Sequence, residues 1–443
     1  MLVGVQIEDR PTENRQATEE PLKELAGLAE TAGAMVVGQL TQRRAAPDVT
    51  TYLGKGKVDE LRVLGEATDA DVVLFDNDLN PGQTRNLERA TNLKVLDRTE
   101  LILDIFANRA RTHEARLAVE LAQLQYSLPR LKRMWTHLSR IKAGIGMRGP
   151  GEKQLEVDRR LVEKRIHDLQ SELAVVERRR QRQVAARSDR MTVSLVGYTN
   201  AGKSTLLNTL TGASVLAQNR LFATLDTRTR RWQLPGWGPV LLSDTVGFIR
   251  DLPHHLIASF KATLEETRQA DLLLHVADAS SSAVFEQIAA VYHVIQELGI
   301  QAKDTLLVLN KIDQLADRAA LDRLLARYPN AIPISAHTGQ GLDHLARAVS
   351  DALSHSFADV DVELPVGDGR LLAYLASHSE VLSRRYSDDR VTVHCRIPEM
   401  FLHEVRKDGT IVRPHRNGNG QQPTDGESTA GHSLDLTPDM DVA

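Results

Sequence analysis

Gly197-Tyr-Thr-Asn-Ala-Gly202-Lys203-Ser204 fits the spacing G-x-x-x-x-G-K-[ST], and it stands between an apolar run, VSLV, and a helical pattern, TLLNTL. A glycine loop with these flanks commits the surrounding chain to a parallel sheet with crossover helices, because the phosphate-binding turn works only between a strand and a helix N-terminus. Gly197, Tyr198, Thr199, Asn200, Ala201 and Gly202 let backbone N–H groups turn inward, Lys203 reaches the β and γ phosphates, and Ser204 supplies a hydroxyl ligand for Mg2+. A chance glycine loop would make no demand on its flanks.

Three more segments follow in the order such a domain requires. Asp244-Thr245-Val246-Gly247 closes the apolar run VLLS, where the aspartate can hold a magnesium-bound water and the Gly247 N–H can meet the γ-phosphate. Asn310-Lys311-Ile312-Asp313 closes LLVL, and a carboxylate there can accept two hydrogen bonds from guanine that adenine cannot offer. Ser335-Ala336-His337 follows AIPI and is expected to place the Ala336 N–H on guanine O6. The ordered set points to GTP as substrate and Mg2+ as cofactor. The first switch is expected at Phe222, Ala223, Thr224, Leu225, Asp226 and Thr227, with Thr224 the magnesium-side hydroxyl and Thr227 its rival; plain strand threonines are the bland alternative.

The remaining sequence is larger than one such domain. At 443 residues the chain has room for about three domains. No apolar run approaches the ~20 residues of a membrane span, and MLVGVQIEDR lacks the basic start of a secretion signal, so a cytoplasmic protein is expected. One cysteine, Cys395, rules out an intrachain disulfide and reads as packing on a strand. The formal net charge of −4 hides a basic segment: Arg130 to Arg190 holds seventeen Arg and Lys against eight Asp and Glu, a local +9, as a polyanionic partner would require.

Periodicity gives the organisation. Residues 1–111 alternate β-branched runs (LVGVQI, AMVVGQL, DVVLFDN, LKVLD) with helical stretches and read as a small parallel α/β domain. Residues 112–190 read as a helical hairpin, with Leu117, Leu121, Leu124, Leu128 and Leu131 on one helix and Val162, Ile166, Leu169, Leu173 and Val176 on the other, around the loop AGIGMRGPGEKQ. Residues 191–355 form the nucleotide domain, 358–407 a small C-terminal α/β domain, and 408–443 a polar, aperiodic tail expected to be disordered. The fold class is therefore α/β: a P-loop GTPase domain with an N-terminal parallel α/β domain, a helical hairpin and a small C-terminal α/β domain.

With these residues in view, the chain resembles the HflX family of translation-factor-class GTPases. YTNAGKSTL, LFATLDT, DTVGFIRDLP and NKID are similar to that family's guanine-binding motifs, and TYLGKGKVDEL and RGPGEKQLE are similar to its amino-terminal signatures. The resemblance covers nearly the whole chain. It implies a hairpin that approaches the peptidyl-transferase region of the large ribosomal subunit, and a role in splitting or rescuing stalled ribosomes under stress. A monomer contacting ribosomal RNA, with no DNA partner, is expected.

Several residues carry finer expectations. Phe248 stands just after DTVG, where Ras-like switches carry a water-orienting glutamine, so intrinsic hydrolysis should be slow and a partner should stimulate it. Asn200 occupies the position at which potassium-activated GTPases hold K+; a turn residue is the plain alternative. Arg148 and Lys153, beside the glycines of the hairpin loop, are candidate RNA contacts, against the plain reading of a solvated helix pair. Asp76 and Asp78 after DVVLF, with Lys55 and Lys57 around Gly56, could mark a second nucleotide site, but turn and capping roles are the default. His254 and His255 have no second pair at metal spacing, so no zinc site is expected. Two other functions share the nucleotide residues: a ribosome-assembly factor or RNA chaperone, and a signalling GTPase, which would leave the basic segment without a task.

Overall fold

The computed structural model describes the chain except residues 8–21, 135–149, 186–190, 213–220, 223, 226, 236–237, 251–266, 298, 300–304, 316, 355–356, 388, 399–400, 407–408 and 416–443. Arg148, Ala223, Asp226, His254 and His255 therefore lie outside the described residues, as do the side chain of Lys153 and most of the expected tail. The chain divides into two compact units, Met1–Phe357 and Ala358–Ala443.

The first unit opens with strands β1 (Leu2–Ile7), β2 (Gln39–Arg44), β3 (Val72–Phe75) and β4 (Lys94–Asp97), and helices α1 (Lys23–Thr31), α2 (Lys55–Ala67), α3 (Pro81–Thr91) and α4 (Arg98–Arg109). The strands lie in the order β2-β1-β3-β4, and every pairing is parallel. One expectation fails here. AMVVGQL does not form the strand; β2 begins only at Gln39, Met35 is 82% exposed, and the polar QLTQRR makes the sheet edge. An edge strand with one wet face needs no apolar run. Asn80 caps α3 through a reciprocal capping box with Gln83, and Asp97 caps α4.

The hairpin consists of α5 (His113–Met134) and α6 (Pro150–Ala185). Leu117 and Leu121 of α5 bury against Leu169, with Leu124, Ile166 and Leu173 alongside, which is the seam the periodicity predicts. Arg130 anchors α5 to the parallel sheet: its guanidinium lies 3.4 Å from the centre of the Tyr126 ring and donates to Asp97 Oδ2 at 2.7 Å.

The nucleotide domain has β5 (Thr192–Val196), β6 (Arg228–Leu234), β7 (Gly238–Asp244), β8 (Leu272–Asp278), β9 (Thr305–Asn310) and β10 (Ile332–Pro333), with helices α7 (Lys203–Thr211), α8 (Val284–Glu297), α9 (Arg318–Arg327) and α10 (Leu342–Ser354). The sheet order is β10-β9-β8-β5-β7-β6, parallel except for the edge strand β6, which the sequence reading did not include. Its outer residues are arginines, so apolar patterning alone hides it.

The second unit is a four-stranded sheet in the order β12-β13-β11-β14, built from β11 (Phe357–Pro365), β12 (Glu380–Ser387), β13 (Arg390–Pro398) and β14 (Ile411–Pro414), with helices α11 (Gly369–His378) and α12 (Leu402–Val405). The domain does not end at 407. Ile411–Pro414 pairs antiparallel with β11, so the expected tail contributes a strand first. Val360, Val362, Leu364, Val391, Val393, Cys395 and Ile397 alternate onto one face and form the core, which gives Cys395 the packing role expected of it.

Candidate nucleotide site

The P-loop joins β5 to α7. Gly202 adopts φ +93, and a Cβ there would lie 2.3 Å from Asn310 Nδ2; Gly247 lies so close that a Cβ would meet the Thr199 backbone at 2.8 Å. Lys203 is buried, and its Nζ donates to the carbonyls of Gly197 and Tyr198 at 2.9 Å each. Burial lowers its pKa to about 8, while the nearby Asp244 pulls the other way. Asp244 is held above the usual carboxylate range by burial, opposed by Lys203 and by the hydroxyls it accepts.

Three oxygen-bearing side chains converge beside Lys203. Ser204 Oγ donates to Asp244 Oδ2 at 2.6 Å, Thr224 Oγ1 donates to the same oxygen at 2.9 Å, and the two hydroxyls are 2.9 Å apart. Asp244 Oδ1 is buried with no protein hydrogen-bond partner. An all-oxygen set, in which the second carboxylate oxygen of Asp244 is left without a protein donor, fits a hard divalent cation such as Mg2+. Thr224 is the threonine that the hydrogen bonds place at this point.

The base-side segments are tied together by one residue. Asn310 Nδ2 donates to the Ala201 carbonyl at 2.8 Å, and Asn310 Oδ1 accepts from the Ala336 N–H at 2.9 Å. The Ala336 N–H expected to face guanine O6 therefore serves Asn310 here, because the amide is buried against that side chain. Lys311 takes φ 65 and pairs with Asp278 at 2.7 Å. Ile312 and Asp313 lie on a short 3-10 turn with Asp313 exposed, and the Ser335 Oγ accepts from the Thr338 N–H beside the exposed His337.

The switch segments face the N-terminal layer. Phe222 and Leu225 on one side, and Val246, Phe248 and Ile249 on the other, are buried in one continuous core with Leu25, Ile102 and Phe106; the Phe106 and Phe222 rings meet edge to face at 4.6 Å. A polar network crosses the same boundary. Tyr198 donates to Glu24 Oε2 at 2.5 Å and accepts from the Arg250 N–H at 2.7 Å. Arg98 pairs with Glu24 and with Asp76 at 2.6 Å, and Arg250 pairs with Asp76 at 2.7 Å. Asp78 accepts from Thr99, and Lys57 pairs with Glu60. Asp76 and Asp78 thus tie helices and segments together through Arg98, Arg250 and Thr99. Sequence reasoning missed this network, because Tyr198 and Glu24 are 174 residues apart.

Family models described as GTP-binding GTPase N-terminal, GTP-binding GTPase Middle Region, 50S ribosome-binding GTPase and HflX C-terminal domain match residues 19–107, 109–187, 192–311 and 320–417. The GTPase HflX of Escherichia coli K12 is 52% identical over 80% of this chain and 83% of its own length. The chain belongs to the HflX family. It is a P-loop GTPase that hydrolyses GTP. The GTPase HflX of Magnetococcus marinus is 47% identical over 91% of this chain and 95% of its own. A solved GTP-binding protein from Sulfolobus solfataricus, in complex with GDP, aligns over 79% of this chain and 98% of its own at 24% identity and a TM-score of 0.42. No helix among the described residues of this HflX-family chain is long and apolar enough to cross a membrane.

Proposed function

We propose that this GTPase binds the large ribosomal subunit and its RNA, and couples GTP binding and hydrolysis to the splitting or rescue of stalled ribosomes under stress. Family membership and the description of the nucleotide-domain model as a 50S ribosome-binding GTPase support the ribosomal partner. The observation that carries the coupling is the shared core: Phe222, Phe248 and Ile249 cannot move with nucleotide state without disturbing Phe106 and the layer that bears the hairpin. The local +9 between Arg130 and Arg190 suits a phosphate backbone, with Arg148 and Lys153 as the contacts.

In this reading Ser204 and Thr224 would hold Mg2+, which supplies charge neutralisation of the developing phosphate when bound. Asp244 would support the ion through its carboxylate, Lys203 would hold the β and γ phosphates, Gly247 N–H would meet the γ-phosphate, and Asp313 would read guanine. Asn200, exposed with φ 61, contributes to a K+ site, so turnover is expected to be faster in potassium than in sodium. Phe248 leaves the attacking water without a side-chain partner, and the ribosome orders the switch.

GTP turnover with and without purified large subunits, together with light scattering of intact ribosomes, tests the proposal. Stimulation by subunits and GTP-dependent dissociation, both weakened in the Arg148→Ala/Lys153→Ala variant, is expected. Equal turnover with and without ribosomes would overturn it.

A further inference from the structure

The open face of the C-terminal sheet carries a cluster that the nucleotide chemistry does not use. Asp359 and Asp361 alternate with the buried Val360 and Val362 on β11, so both carboxylates stand on the face away from the core. His394 occupies the same face of β13, alternating with the buried Val393 and Cys395. The third contributor comes from the end of β14. The His415 N–H donates to the Asp359 carbonyl at 2.9 Å, which continues the register in which Asp361 faces Arg413 and sets His415 opposite Asp359. Neighbouring strands about 4.8 Å apart bring side chains on one face within mutual reach.

The side chains converge. His394 Nε2 lies 2.7 Å from Asp359 Oδ1, His415 Nδ1 lies 2.9 Å from Asp361 Oδ2, and the two imidazole rings stack with centroids 3.5 Å apart. One ligand atom each from Asp361, His394 and His415 falls within 4.8 Å of the others. Tetrahedral coordination at about 2.0–2.1 Å asks ligand atoms to stand roughly 3.3 Å apart, so the ion would draw the three side chains inward and turn the stacked rings toward it. Two imidazole nitrogens and a carboxylate oxygen suit a borderline ion and not Mg2+ or Ca2+, which take oxygen ligands.

We propose that Asp361, His394 and His415 form a binding site for a Zn2+-class divalent ion, with water in the fourth position and Asp359 adding negative charge beside it. The ion would clip the short edge strand β14, where the described chain ends, to the two strands it lies near. The site shares no residue with the Mg2+ position at Ser204 and Thr224, and it does not depend on the ribosomal reading.

The test uses the full chain, freed of metal by chelator, with GDP and Mg2+ filling the nucleotide site. Zn2+ is titrated in competition with a chromophoric chelator, and hydrogen exchange of Ile411–Pro414 is followed in parallel. Wild type is expected to take up one equivalent and to slow exchange in that strand. His394→Ala and His415→Ala should each weaken Zn2+ at least tenfold and remove the protection, whereas His403→Ala, off the cluster, should match wild type. Circular dichroism of the variants shows whether the sheet still forms, and Asp361→Asn, which preserves shape, gives the same loss if folding fails in an alanine variant. Zinc binding in the cluster variants equal to wild type, or no stoichiometric uptake by the wild type, would overturn the site and leave two histidine–aspartate pairs.

Discussion

Tyr198, inside the P-loop, donates its phenolic hydrogen to Glu24 Oε2 of the N-terminal layer across 2.5 Å, and the same oxygen of Tyr198 accepts the Arg250 N–H from the segment after DTVG. One side chain thus joins the phosphate loop, the second switch and the neighbouring layer. A hydrogen bond to a charged group contributes about 1.5–3 kcal/mol, so Tyr198→Phe is expected to lower the urea-unfolding free energy of the first unit by roughly that amount. In a double-mutant cycle with Glu24→Gln, a coupling energy of at least about 0.5 kcal/mol is expected. Strict additivity would show that the pair contributes nothing across the boundary.

Arg98 has a larger expected effect. It is nearly inaccessible and pairs with both Glu24 and Asp76. Removing it leaves two carboxylates crowded together at low exposure, and loss of one partner of a buried ion pair costs about 3–5 kcal/mol. Arg98→Ala should therefore unfold the first unit at distinctly lower urea than Tyr198→Phe; a midpoint equal to wild type would mean that solvent already screens the network.

Nucleotide affinity should depend on pH through Lys203. Burial sets its pKa at about 8, below the ordinary lysine value, so the ammonium is present below pH 8 and is lost above it. Phosphates favour the ammonium and raise the pKa in the complex, so binding takes up a proton once the free protein has lost one. Affinity for GTP is then flat up to about pH 8 and falls above it, by up to about tenfold per pH unit, until the raised pKa of the complex is reached. Titration with a fluorescent GTP analogue at pH 7, 8 and 9 measures this, and a flat profile would show that Lys203 stays charged throughout.

Much of this architecture can be read from the chain, and the strands it hides have a cause in common. β1, β3 and the central strands of the nucleotide sheet are largely apolar runs bounded by turn residues, because both faces are covered. β6, β12 and β14 carry exposed arginines and other polar residues, in β6 and β12 at successive positions that point to opposite faces, so they lack that signal. Local motifs likewise mark Ser204, Asp244 and Asp313, since a loop and its strand hold them. Contacts such as Tyr198 with Glu24, or His394 with His415, join residues that only tertiary packing brings together. The AMVVGQL run misleads for the opposite reason: it is apolar, yet Met35 and Val37 face solvent.

In the proposed reading, base selection rests on the carboxylate of Asp313, which lies exposed on its short turn. Asp313→Asn replaces two acceptors by one acceptor and one donor, and two charge-assisted hydrogen bonds at about 1.5–3 kcal/mol each are lost. GTP affinity is expected to fall on the order of 10²–10⁴-fold, while xanthosine triphosphate, whose 2-position is a carbonyl, should gain. If both nucleotides bind the variant as they bind wild type, guanine is read elsewhere.

In the proposed reading, Phe248 decides whether slow intrinsic hydrolysis can be repaired within the chain. Its N–H donates to the Gly197 carbonyl at 3.1 Å and its carbonyl accepts the Thr199 N–H at 2.7 Å, so the backbone is pinned beside the P-loop. The ring is buried with Val246 and Ile249 in the core shared with the N-terminal layer. A glutamine at 248 would therefore bury its amide among apolar groups rather than reach a water at the γ-phosphate. Phe248→Gln is expected to leave intrinsic GTP turnover no faster, and to destabilise the first unit by about 3–5 kcal/mol, comparable to truncating a buried phenylalanine. Phosphate-release assays and urea unfolding on the same preparation separate the two effects: faster turnover at unchanged stability would mean that the segment after DTVG can release its side chain toward the nucleotide.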